Sequence, residues 1–288
     1  MVRLADVKPD LRLLLLAALV LAARGVLCAP PGDLDTRLML STVLVTNPGS
    51  TGTALLLTRA TPGQPQQTQF VLVTAQHVLA NAKGDTTSVI FHKLEADGTY
   101  TKRPQELPIR REGKDLWTKH PSADVAAIAI SPPPDAVLPC VSVDRLASEA
   151  DLARWQIHPG DSVRSVGFPH PLQFEAGPSG FGVVRTGCIA SYPLLPAPKY
   201  RTFIADLNSF EGDSGSPVYL AENGRYVDGK IGPEPVQLVL GVVIAQQFID
   251  ERFNNIYQSG MLRHRMGLAI VVNSATIRET IELADRKP

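Results

Sequence analysis

Apolar positions in this chain fall in short runs with the spacing of strands rather than of helices. Leu38–Val45, Gly52–Thr58, Phe70–Thr74, Thr87–Leu94, Gln105–Arg111 and Val125–Ile130 each read as a strand. Asn47-Pro48-Gly49, Thr61-Pro62-Gly63-Gln64-Pro65, Ala96-Asp97-Gly98 and Ser131-Pro132-Pro133-Pro134 punctuate them. Six short strands with such breaks fit a small antiparallel barrel. Ala147–Trp155 has helical spacing and sits where a linker would run. A second series follows: Asp161–Gly167, Gly180–Ser191, Thr202–Asp206, Ser216–Leu220, Gln237–Gln246 and Gly267–Val272. The chain closes on an amphipathic helix, Thr276–Asp285, with Ser274 as N-cap and Ile277 and Ile281 on one face.

Before the first strand the pattern changes twice. Arg3, Lys8 and Arg12 precede the apolar block Leu13–Ala23. That block suits the core of a signal peptide and is shorter than the ~20 residues a membrane span needs. Residues 1–28 therefore read as a signal peptide, with cleavage after Cys28 or near Gly25. Export to a secreted or periplasmic location follows. Anchoring through Cys28 or an uncleaved segment is the minor reading, since Leu27 is bulky for a lipidation site. Residues 29–37 read as a Pro/Gly/Asp-rich leader, with Ala29–Thr36 poorly ordered. Residues 38–150 and 151–288 are the two halves.

The candidate chemistry lies in three segments. Gly212-Asp213-Ser214-Gly215-Ser216-Pro217-Val218 sets a serine between glycines, as a nucleophile on a tight turn requires. Alone, the run could be a plain Gly/Ser turn. Phe70–Leu79 ends an apolar run on Thr74-Ala75-Gln76-His77, and Ser122-Ala123-Asp124 opens another. A serine hydroxyl needs a base, and the base needs an orienting carboxylate. His77, Asp124 and Ser214 supply these groups in the order His, Asp, Ser.

The segments TAQH, ADVAAIAI and EGDSGSPV resemble the motifs of the trypsin-like serine peptidase superfamily over roughly Leu38–Leu283. GDSGSPV, the stretch Pro159–Pro169 and the tail Val272–Ile281 lean toward its glutamyl-endopeptidase and high-temperature-requirement branches. The resemblance implies an all-β, chymotrypsin-like fold of two six-stranded antiparallel barrels with a C-terminal helix. It implies a serine endopeptidase acting through an acyl-enzyme on a peptide or protein substrate. His77 would be the general base, Asp124 its orienting partner and Ser214 the nucleophile. The N–H groups of Gly212 and Ser214 would form the oxyanion hole. Asn208 would sit at the base of the specificity pocket, with Ile244, Ala245, Gln246 and Gly267 lining it and Ala269 on the strand opposite. Ile244 stands where relatives carry a serine that supports the triad aspartate. Asp213 would take a backbone or side-chain partner; cleavage at Arg37-Leu38 to free a new N-terminus is the alternative. Arg263 and Arg265 read as loop charges that could favour an acidic side chain. A catalytically silent protein-binding member of the fold and a serine esterase are the competing functions.

Composition excludes other classes. Lys+Arg and Asp+Glu stand at 28 each, so the net charge is zero and no general attraction to nucleic acid or anionic lipid exists. Of three cysteines, Cys140 and Cys188 would remain after signal removal; one disulfide or two separate buried thiols both fit. His92, His120, His158, His170 and His264 lack metal-ligand spacing, and no phosphate-cradling loop is present, so no metal or cofactor is expected.

Overall fold

In the computed structural model, which describes residues 33–48, 50–139, 141–170 and 179–286, most of these runs are strands. Helix α1 (Leu34–Ser41) comes first, then β1 (Thr42–Asn47), β2 (Ser50–Thr61), β3 (Gln64–Thr74) and the short helix α2 (Gln76–Ala80). β4 (Thr86–Leu94), β5 (Tyr100–Pro108), β6 (Arg110–Arg111), β7 (Lys114–Asp115), β8 (Thr118–Lys119) and β9 (Ala126–Ile130) complete the first half. Helix α3 (Glu149–Arg154) leads to β10 (Ser162–Gly167), β11 (Val183–Ile189), β12 (Thr202–Asp206) and β13 (Pro217–Glu222). β14 (Arg225–Val227) and β15 (Lys230–Gly232) form a small hairpin. β16 (Val236–Asn254), β17 (Ser259–Asn273) and α4 (Ser274–Asp285) end the chain.

The second half closes into a barrel in the order β10-β11-β12-β17-β16-β13. The first half does not. Its seven strands run β5-β4-β1-β2-β3-β9-β8, with two edges left. Of the two barrels expected, one closed barrel is present, and a second closed barrel is not shown among the described residues. β8 has two residues, and β5 carries Pro104 and Pro108, which have no N–H to give to a further strand.

Gly52–Thr58 of β2 and Phe70–Thr74 of β3 are buried on both faces, which is why they read as continuous apolar runs, while Gln64–Thr68 at the far end of β3 is exposed. Leu56, Phe70 and Leu72 face a core within the first sheet. Leu55, Leu57, Val71 and Val73 face a second core shared with the barrel residues Tyr219, Val239, Val242 and Val272 and with Ile277 and Ile281 of α4. A third core fills the barrel around Val218, Leu220 and Val271.

Three local expectations fail for identifiable reasons. Leu34–Ser41 is helical, not leader and strand. Asp33 caps it by accepting from the Thr36 N–H at 2.8 Å, and Leu34 and Leu38, one turn apart, are fully buried. Each leucine contributes up to about 1.5–3 kcal/mol by burial. Asn273, not Ser274, caps α4, accepting from the Thr276 N–H at 2.8 Å. β16 and β17 run far beyond Gln246 and Gly267, through charged positions that broke the apolar pattern. The signal segment and Cys140 lie outside the described residues; Cys188 has no disulfide partner among them. No described helix is long and apolar enough to cross a membrane.

Candidate active site

β3 delivers His77. Its buried end Val71–Thr74 runs into α2, where Val78 and Leu79 turn inward and His77 stays half-buried at the surface. Arg110 fastens that helix from below: its guanidinium donates to the carbonyls of Leu79, Ala80, Ala82 and Gly84 at 2.7–3.0 Å. Asp124 lies in the turn that opens β9. His120 anchors that turn, its N–H donating to Val125 O at 3.0 Å and its Nδ1 accepting from the Ser122 N–H at 3.2 Å. Ser214 lies in the loop that leads from β12 into β13.

The three side chains meet. Ser214 Oγ is 2.9 Å from His77 Nε2, and His77 Nδ1 is 2.6 Å from Asp124 Oδ2. The His77 backbone N–H donates to Asp124 Oδ1 at 3.0 Å. With Asp124 ionised, Nδ1 carries the proton and Nε2 is free to accept from the hydroxyl. Burial acts to raise the Asp124 pKa. The His77 ring hydrogen bond and charge, with the N–H groups of His77 and Gln76, outweigh it and hold the pKa below the ordinary value.

The Ser214 loop is held from several sides, and most of its supports are invisible in the sequence. Thr53, fully buried on β2, donates its N–H to Ser214 O and its hydroxyl to Gly212 O, both at 2.8 Å. The same hydroxyl accepts from the Phe168 N–H at 3.2 Å. Thr74 Oγ1 donates to Thr53 O at 2.7 Å. Gly215 has φ +95°, and a Cβ there would stand 1.8 Å from Thr53 O. Glycine is thus required by both conformation and space. Gly212 is also left-handed, at φ +96°. The N–H groups of Gly212 and Ser214 have no hydrogen-bond partner among the described residues.

Asp213 has a side-chain partner, Arg185 on β11. The guanidinium donates to both carboxylate oxygens at 2.5 Å, and Phe210 N–H donates to Oδ2 at 2.7 Å. Asp213 is fully buried and the Arg185 side chain is 17% exposed. Arg37-Leu38 lies within α1 with Leu38 buried, so a cut there first needs the helix to unwind.

The residues expected to form a specificity pocket are less uniformly placed. Asn208 and Gly267 face each other: a Cβ on Gly267, at φ +75°, would be 3.1 Å from Asn208 Oδ1. Ala245 pairs with Ile270 and Gln246 with Ala269, while β16 bulges between Val243 and Ala245. Ile244, the bulged residue, packs against the first and second cores. Gln246 Oε1 is buried without a hydrogen-bond partner among the described residues. Arg263 pairs with Asp250 at 2.8 Å. Arg265 stacks on Phe210, 4.8 Å from its ring centre, beside His170. No group of three or more potential metal ligands occurs among the described residues.

No protein-family model matches the chain, and no curated protein does. Among solved structures it is similar to an inactive form of Rv3671c from M. tuberculosis H37Rv carrying a serine-to-alanine change, at 16% identity and TM-score 0.45, over 91% of this chain and 98% of that one. An inactive form of the Rv3671c protease aligns at 16% identity and TM-score 0.47, over 89% and 98%. The scabies mite inactivated protease paralogue S-D1 aligns at 15% identity and TM-score 0.45, over 89% and 97%.

Proposed function

We propose that this chain is a serine endopeptidase of the trypsin-like type that cleaves peptide bonds through an acyl-enzyme. One observation carries the reading: the unbroken line Ser214 Oγ, His77 Nε2, His77 Nδ1, Asp124 Oδ2, with steps of 2.9 and 2.6 Å.

In this reading His77 Nε2 takes the hydroxyl proton as Ser214 Oγ attacks the carbonyl carbon. The imidazolium is stabilised by Asp124, then returns the proton to the leaving amine. Water, activated by the same nitrogen, hydrolyses the ester and regenerates Ser214. The N–H groups of Gly212 and Ser214 receive the developing oxyanion; losing one such donor typically costs about 10²–10³ in kcat. Asn208 and Gly267 border the pocket for the side chain at the cleaved bond. No carboxylate stands at Asn208, which argues against selection of Lys or Arg by ion pairing. The glutamyl-endopeptidase or high-temperature-requirement branch rests on the motifs alone.

The N-terminal apolar block supports export, with residues 1–28 removed and the halves 38–150 and 151–288 contributing His77 with Asp124 and Ser214 respectively. Digestion of β-casein tests the activity. The intact chain is expected to produce defined fragments and Ser214→Ala none. Fragments from both proteins, or from neither, refute the peptidase reading; ester hydrolysis without peptide cleavage would make the chain an esterase.

A further inference from the structure

Asp124 is held by the segment it must orient. Its carboxylate accepts from the His77 N–H at 3.0 Å and faces His77 Nδ1 at 2.6 Å, with the Gln76 N–H beside them. Ile244, at the position where a serine would offer a hydroxyl, packs its apolar side chain into the first two cores instead. The place of the carboxylate therefore depends on the backbone turn that carries it.

One residue closes that turn from both sides of Asp124. His120 N–H donates to Val125 O at 3.0 Å, and His120 Nδ1 accepts from the Ser122 N–H at 3.2 Å. The His120 side chain is only 2% exposed. A ring nitrogen that accepts carries no hydrogen, so the ring is neutral with its hydrogen on Nε2. The opposite tautomer would aim one N–H at another.

The far side of the ring is held by the second half of the chain. Nε2 lies 3.0 Å from Glu279 Oε2 on α4 and donates to it. Arg201, which precedes β12, donates to the same oxygen at 2.7 Å and stands 3.5 Å from Nε2. Glu279 and Arg201 are thus the charged groups at the ring, while Lys119, its neighbour on β8, is exposed. Helix α4 also covers the strand that Asp124 opens: Ile277 and Ile281 share the second core with Val125 and Ala127.

We propose that His120 is a positioning residue for Asp124. By accepting from the Ser122 N–H, with its ring set by Glu279 and Arg201, it fixes the carboxylate against His77 and makes the catalytic line depend on the C-terminal helix. The inference deepens the peptidase reading and rests on it for the kinetics, though not for the state of His77.

The test separates the two ring nitrogens. Asparagine can put an acceptor where Nδ1 stands, and glutamine a donor where Nε2 stands. Turnover of one β-casein peptide is measured per fluorophosphonate-titrated site, so that unfolded molecules do not count. His120→Ala should lower kcat about 10- to 100-fold with KM unchanged, short of the ~10⁴ that losing the aspartate's role costs. His120→Asn should recover most of that loss and His120→Gln should not. Equal kcat in all four proteins, or equal loss with Asn and Gln, overturns the proposal. Glu279→Ala leaves His120 in place and decides the question if the His120 variants fail to fold. Freeing the ring should lower kcat about three- to tenfold, the worth of one hydrogen bond, and an unchanged kcat refutes the coupling. Histidine-ring NMR gives a readout without turnover. The His77 Nδ1 proton shared with Asp124 should resonate far downfield in the natural chain, shift or broaden in His120→Ala and Glu279→Ala, and return in His120→Asn. A resonance absent from the natural chain, or indifferent to these changes, refutes positioning whether or not casein is cut. A resonance that responds in a protein that cuts nothing sustains it and refutes the peptidase reading alone.

Discussion

Replacing Arg185 by methionine should disable the loop that carries Ser214. The Asp213 carboxylate is fully buried and accepts three hydrogen bonds, two from Arg185 at 2.5 Å and one from the Phe210 N–H at 2.7 Å. Methionine keeps the aliphatic volume and removes both charged donors. It also removes the bond from Arg185 to Asn208 O at 2.8 Å, which braces the chain leading into the Ser214 loop. Charge-assisted bonds are worth about 1.5–3 kcal/mol each, and stripping one partner from a buried pair costs about 3–5 kcal/mol. A loss of about 4 kcal/mol is about three powers of ten in an equilibrium. It can appear as a lower urea midpoint or as local disorder of residues 208–216. The assay therefore pairs urea denaturation with the rate of fluorophosphonate labelling at Ser214, and at least one should fall by that order. Arg185→Met combined with Asp213→Asn should recover about 2 kcal/mol or more, because the uncompensated charge is gone. The reasoning fails if the single variant loses under about 1 kcal/mol and labels normally, or if the two substitutions simply add.

Other consequences are equally direct. Thr53→Val keeps the shape of a fully buried residue but deletes the hydroxyl that bonds Gly212 O and Phe168 N–H; it should cost about 1–3 kcal/mol in denaturation and slow labelling, whereas unchanged labelling would show that Thr53 does not position the loop. Glu279 on α4 gives a pH signature. Burial acts to raise its pKa, but hydrogen bonds from Arg201 at 2.7 Å and His120 at 3.0 Å prevail and lower it. Its contribution is thus complete above the unfolded value of about 4.3 and disappears as pH falls through the lower folded one. With the side chain 38% exposed, that contribution is discounted to under about 1 kcal/mol. The stability gap between the natural chain and Glu279→Gln should shrink from pH 6 toward pH 3, about the carboxylate range; a gap independent of pH would contradict the assignment.

Much of the architecture was legible because local signals and burial agree. Gly52–Thr58 and Phe70–Thr74 read as apolar runs since both their faces are covered, and Gly212 to Val218 announced a tight turn through residues that only such a turn needs. The open first sheet was not legible: closure depends on what an edge strand offers a partner, not on the number of strands. Helix α1 was hidden because its apolar residues, only one turn apart, look like the start of a strand. The reach of β16 and β17 was hidden by charges that pair across the two strands instead of facing a core. Within the site, spacing and order located His77, Asp124 and Ser214, which the fold brings into hydrogen-bond contact. Thr53 and Arg185 left no trace, as their contacts to Gly212 and Asp213 span 159 and 28 positions and carry no motif.

The central claim concerns the reactivity of one hydroxyl. Intact protein treated with a fluorophosphonate and analysed by peptide mass should carry a single adduct on Ser214. That adduct should vanish in Ser214→Ala and form far more slowly in His77→Ala. A folded protein that takes up no label, or one whose label persists when Ser214 is replaced, would contradict the account.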